Sequence, residues 1–142
     1  MPPFQRHLAT HPAPIFAAAL LAASSWLIAP AAAQTSAAPL SATFQTCLDK
    51  SGGVTFEMRE CISAEYARQD QLLNRHYKAL MADLTPERKK QLQTAQRLWI
   101  QYRDANCQFY ADPDGGSMAT IAAADCSLQM TADRARELAG LR

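Results

Sequence analysis

Residues 97–107, RLWIQYRDANC, bring a tryptophan, a tyrosine, two arginines, an aspartate and a cysteine into three turns of an expected helix. An arginine such as Arg103 can clamp an anion, Asp104 can move a proton, and a thiol such as Cys107 can attack a carbonyl or hold a metal. Each of these needs a supporting cast. An acid–base pair needs a positioned partner of tuned pKa, and nothing nearby supplies one. A nucleophilic triad needs histidine, and beyond the first 33 residues only His76 is present. It lies in LLNRHYK, where a half-exposed helix position accounts for it. No C-x-x-C pair occurs, and the one glycine-rich turn, DGGS, is too short for a phosphate loop and follows no strand. No catalytic residue, metal or cofactor is therefore expected. Trp99 and Arg103, four residues apart, share a helix face and can stack. Arg103 is expected to bond across helices or to a loop carbonyl.

The compartment decides what the cysteines do. Arg6 and His7 precede an apolar run, residues 15–28, broken only by Ser24 and Ser25, and Ala31, Ala32 and Ala33 supply a small-residue cleavage pattern before Gln34. A run of about 14 residues falls short of the roughly 20 that span a bilayer. Residues 1–33 are read as an export signal, and residues 34–40 (QTSAAPL) as a flexible leader. Residues 41–142 then form one domain in the periplasm or outside the cell. No cysteine lies close enough to the signal to carry a lipid, so no membrane attachment is expected after cleavage. Without Arg6, 13 basic residues balance the 13 acidic ones. That neutrality argues against nucleic acid and polybasic membrane binding.

All four cysteines, Cys47, Cys61, Cys107 and Cys126, lie in the exported part. An even count in a small exported chain reads as two disulfides.

The elements that must position these groups are all helical. Ser41 can cap a short helix through Lys50, ended by Ser51, Gly52 and Gly53. Thr55 is the expected N-cap of a longer second helix. Its stripe, Ile62, Tyr66, Gln69, Leu73, Tyr77, Leu80 and Leu84, recurs at spacings of three and four. Gln69 interrupts the apolar pattern, and Leu72 partly fills in for it. Thr85-Pro86-Glu87 restarts a third helix with Leu92, Ala95, Trp99, Tyr102, Asn106 and Phe109 facing the core, ending near Ala111. DPDGGS, residues 112–117, is a turn. Ser117 is the expected cap of a fourth helix with Ile121, Ala124, Leu128, Ala132, Ala135 and Leu138 inside. No run alternates like a strand. The expected fold is all-α, a small disulfide-stapled bundle of about four helices built from antiparallel helical hairpins. Heights on facing helices favour Cys47–Cys61 and Cys107–Cys126.

Asp70 and Asn74, one turn apart, can bond each other. PERKKQ, residues 86–91, reads as a solvated first turn. The turn at Asp114, Gly115, Gly116 and Ser117 is the expected contact with a protein partner, because its backbone is approachable and a nearby disulfide would keep it rigid. A plain hairpin turn is the competing reading.

Several spaced elements together resemble a known family. They are C-L-D-K…C from Cys47 to Cys61, D-x-x-L-N-x-x-Y from Asp70 to Tyr77, and A-Q-R-x-W-x-x-Y-R-D-x-x-C from Ala95 to Cys107. Then come the Gly115-Gly116-Ser117 turn, Cys126, and T-x-x-R-x-x-x-L from Thr131 to Leu138. The set is similar to the LprI-like lysozyme inhibitor family of small exported bacterial helical domains. The resemblance runs from about Thr43 to Leu138 and marks Asp70, Asn74, Tyr77, Gln96, Trp99 and Arg103 as motif positions. The family takes its name from a mycobacterial lipoprotein that inhibits lysozyme; this chain lacks the lipidation cysteine. The resemblance implies a periplasmic, non-enzymatic binding protein that inhibits lysozyme or another cell-wall hydrolase. An envelope module for structure or stress, with no hydrolase target, stays open beside it, as does the oligomeric state.

Each bridge should contribute on the order of 2–4 kcal/mol, a large share of the net stability of so small a domain. Reduction should therefore lower the melting temperature by many degrees. An unchanged melt in reductant would show that the core holds without its bridges.

Overall fold

The computed structural model describes residues 40–141; the expected export signal and most of the expected leader lie outside them. Four helices follow in order: α1 (Ala42–Lys50), α2 (Thr55–Asp83), α3 (Pro86–Phe109) and α4 (Gly116–Gly140). At 1.5 Å per residue, α2 is about 43 Å long, long enough to carry α1 at one end and meet α4 along the rest.

Both disulfides form as expected, Cys47–Cys61 between α1 and α2 and Cys107–Cys126 between α3 and α4. Each closes an antiparallel hairpin. Between the hairpins the order is different: Ile62 packs in one cluster with Ile121 and Leu128, and Leu73 and Leu80 in a second with Ala135 and Leu138. Residue numbers rise together on both helices, so α2 and α4 run parallel, and α3 is the return stroke between them. Leu128, Thr131 and Leu138 are the most deeply buried large side chains, which makes α4 the central helix.

Three sequence expectations move. Val54, not Thr55, is the N-cap of α2, because the Val54 N–H closes a turn onto the Ser51 carbonyl and the helix starts at once. Gly115, not Ser117, caps α4, for the parallel reason that the Gly115 N–H bonds the Asp112 carbonyl. The freed hydroxyls of Thr55 and Ser117 meet each other at 3.5 Å. Leu40, expected in the flexible leader, is half-buried against the first apolar cluster. Ser41 and Thr85 cap α1 and α3 as expected.

The third helix keeps half of its expected stripe: Leu92 and Trp99 pack against the second cluster and Asn106 is half-buried. Tyr102 is 60% exposed and Phe109 83%, and Ala95 is exposed too, whereas Gln96 and Cys107 are buried. The face of α4 that receives α3 carries Thr131 and Arg134, so it takes the polar Arg103 and Gln96 in place of Tyr102 and Phe109.

Gln69, the interruption in the α2 stripe, belongs to a buried polar node that the sequence did not reveal. Its amide donates to Glu65 Oε1 at 2.8 Å. The same carboxylate accepts from the Ser41 N–H (3.0 Å), the Ser41 hydroxyl (2.7 Å) and Arg68. Ser41 thus caps α1 through Phe44 N–H and ties that end to α2. Burial alone would push the Glu65 carboxyl up. The hydrogen bonds from Arg68, Gln69 and Ser41 outweigh it and bring the pKa down from 4.5 to about 2. A folded pKa below the unfolded one contributes stability that is complete above about pH 4.5 and disappears as pH falls toward 2. Glu65→Gln turns an amide donor toward a site that receives five hydrogen bonds and should lower the neutral-pH melting temperature by several degrees. The gap between variant and parent should narrow from pH 4.5 to pH 2; a gap constant over that range would mean that the carboxylate charge is irrelevant.

Candidate functional site

Two places among the described residues stand out as candidates to meet another molecule: a cleft between α2 and α3, and the turn between α3 and α4. The cleft exists because α2 and α3 both pack on α4 and meet each other little. It encloses about 430 Å³. Tyr66, Asp70, Leu73, Asn74 and Tyr77 line the α2 side, and Gln93, Gln96, Arg97, Trp99, Ile100 and Arg103 the α3 side. All six motif positions expected from sequence, Asp70, Asn74, Tyr77, Gln96, Trp99 and Arg103, are gathered there.

Some of these residues hold the helices together. The Arg103 guanidinium lies 5.1 Å from the Trp99 ring centre and 5.9 Å from that of Tyr66. It donates to Thr131 on α4 at 3.4 Å and to the Asp104 carboxylate at 2.9 and 2.7 Å. Arg134 reaches over Trp99 from α4 at 5.8 Å and donates to Gln96 Oε1 at 3.0 Å. The stacking and the cross-helix bond expected of Arg103 are both present. Thr131 and Arg134, its counterparts on α4, were not singled out from the sequence, although both stand in the T-x-x-R motif. Their burial was the missing information.

Other lining residues have no such duty. Asn74 Nδ2 donates to the Asp70 side chain and backbone, both at 2.9 Å, the pairing expected from their spacing. That bond leaves the Asn74 carbonyl oxygen and the second Asp70 oxygen as acceptors. Gln96 accepts from Arg134, so its own amide N–H groups remain to donate.

At the turn, Asp114, Gly115, Gly116 and Ser117 are all exposed. The glycines have a folding reason. A Cβ on Gly115 would stand 2.7 Å from that of Ala119, and Gly116 has φ +63°, the left-handed region. Asp112 Oδ1 accepts from the Asp114 N–H at 2.9 Å, which tightens the loop. Around it stand exposed apolar side chains: Phe109, Tyr110 and Met118, with Val54 and Phe56 from the start of α2. The contact of Thr55 with Ser117 brings those two groups to the same end of the bundle.

His76 is half-buried outside the cleft lining. Among the described residues no group of histidine, cysteine and carboxylate side chains is arranged to hold a metal ion, and no helix is long and apolar enough to cross a membrane.

The domain is a small four-helix bundle with two disulfides, a cleft between α2 and α3 and exposed apolar side chains at one end. The Lysozyme inhibitor LprI family matches residues 47–138, and the chain belongs to that family. It is also similar to an uncharacterized protein of Rhizobium meliloti (strain 1021), with 28% identity over 96 residues, 58% of this chain and 69% of that one. No solved structure matches it.

Arg103→Lys keeps the charge but loses the flat fork that lies over two rings. It should cost about 1–2 kcal/mol and roughly 5–10 °C of melting temperature. Asp104→Ala, removing an exposed partner, should cost under about 0.5 kcal/mol. Equal losses in the two variants would make the ion pair, and not the stacking, the anchor.

Proposed function

We propose that this protein is an exported, non-enzymatic inhibitor of lysozyme or a related cell-wall hydrolase, working in the periplasm. The observation that carries this reading is the family match, which spans both disulfides, the cleft and the α3–α4 turn. Export agrees with the expected signal in residues 1–33 and with two disulfides, which persist in oxidising compartments.

The contact surface we assign is the end of the bundle around Asp114, Gly115, Gly116 and Ser117. Phe109, Phe56 and Met118, exposed by 83%, 72% and 58%, form an apolar rim of the kind that anchors protein interfaces. The Cys107–Cys126 bridge lies at the base of the turn and limits its freedom, so less entropy is lost on docking. A glycoside hydrolase of this kind works with two carboxylates in an open groove. The first turn of α4 has no side-chain cap, so its outward N–H groups and the Ser117 hydroxyl are donors suited to such a groove.

Purified protein should lower muramidase activity in a dose-dependent way. Phe109→Ala combined with Met118→Ala should weaken that inhibition tenfold or more without a change in melting temperature, since both side chains lie outside the core. Full muramidase activity at micromolar inhibitor would rule out the lysozyme tested, and inhibition untouched by the double variant would move the contact elsewhere.

A further inference from the structure

We propose that the α2–α3 cleft is a binding site for a short neutral carbohydrate, separate from the bundle end assigned to the hydrolase and independent of that reading. Its size comes first. About 430 Å³ lies toward the lower end of small-ligand sites, which run from roughly 300 to 1,000 Å³, and suits one or two hexose rings.

The lining then selects the chemistry. An anion is disfavoured, because Asp70 faces the space and the Arg103 guanidinium is already engaged by Asp104 and Thr131. Arg97, the other cation on the lining, is exposed and donates to Thr94 on its own helix at 3.3 Å. A metal ion would find one carboxylate. A purely apolar ligand would strand the amides of Asn74, Gln93 and Gln96 without water. What remains is a molecule that offers many neutral donors and acceptors with apolar faces between them.

The cleft is prepared for such a molecule. Asp70 fixes Asn74 so that its carbonyl oxygen is free to accept, and Arg134 fixes Gln96 so that its N–H groups are free to donate. Donors and acceptors stand on opposite walls. Between them Tyr77 and Ile100 offer apolar surface for the C–H face of a sugar ring. Trp99, whose ring is flanked by Arg103 and Arg134, supports the wall instead of serving as an open platform. Holding polar groups in place before binding removes part of the entropic cost.

Calorimetric titration of the full chain tests this with two probes, the trimer of N-acetylglucosamine and maltotriose, and with inorganic phosphate as the anionic arm. Saturable binding of at least one sugar is expected. Asn74→Ala and Gln93→Ala, both at exposed positions, should each weaken it by about tenfold, with melting temperatures held within about 2 °C of the parent. Absence of heat with both sugars at millimolar concentration would overturn the proposal. So would binding of phosphate alone, or sugar binding that neither variant alters. None of these outcomes involves a hydrolase, so they leave the inhibitor reading to its own assay.

Discussion

One guanidinium touches three helices. Arg103 rises from α3, lies against Tyr66 of α2 and Trp99 of its own helix, and donates to Thr131 of α4. Because α2 and α3 otherwise meet mainly through α4, this side chain helps to space them. A leucine there could close the gap by hydrophobic contact and draw the two walls together. A flat, permanently charged group in contact with both rings holds them apart instead. The cleft is the space that this spacer leaves open, and Arg134, lying over Trp99 from α4, braces the same wall.

That arrangement also explains how polar side chains come to occupy the interior. Gln69, Gln96, Thr131 and Arg134 are buried, and so is Glu65 at 3% exposure. Each has partners, and among the described residues no buried side-chain nitrogen or oxygen lacks a hydrogen bond. The apolar clusters flank this belt, one toward α1 and one toward the α2–α3 connection. Hydrophobic burial supplies the drive to fold, and the belt between the clusters fixes the register in which the helices meet.

Much of this was legible in the sequence, and the parts that were not share a cause. Helix limits followed from Ser41, Thr85, Pro86 and the DPDGGS turn, whose local chemistry needs no partner. Both disulfides followed from spacing and compartment. The α4 stripe, Ile121, Leu128, Ala132, Ala135 and Leu138, is apolar and buried as expected. By contrast, Glu65, Gln96 and Arg134 were unreadable as interior residues, since a lone polar side chain goes inside only where another element brings it a partner. Tyr102 and Phe109 were assigned inward on hydrophobicity, and it was Gln96, Arg103 and Cys107 that turned in. The cleft was half visible: its six motif residues were marked by a family pattern, but their convergence needed the parallel pairing of α2 with α4, which no local signal announces.

That parallel pairing has a kinetic consequence. Antiparallel hairpins close over short stretches, with bridged cysteines 14 and 19 positions apart in sequence. The core between α2 and α4 instead joins residues roughly 60 positions apart, and only after α3 has crossed the length of the molecule does it form. The domain therefore carries a higher contact order than an up-and-down bundle of equal size, and should fold more slowly than its helical content alone would indicate. Its two covalent hairpins can be complete while the apolar faces of α2 and α4 still await each other, a stage at which the chain is open to aggregation and to proteases.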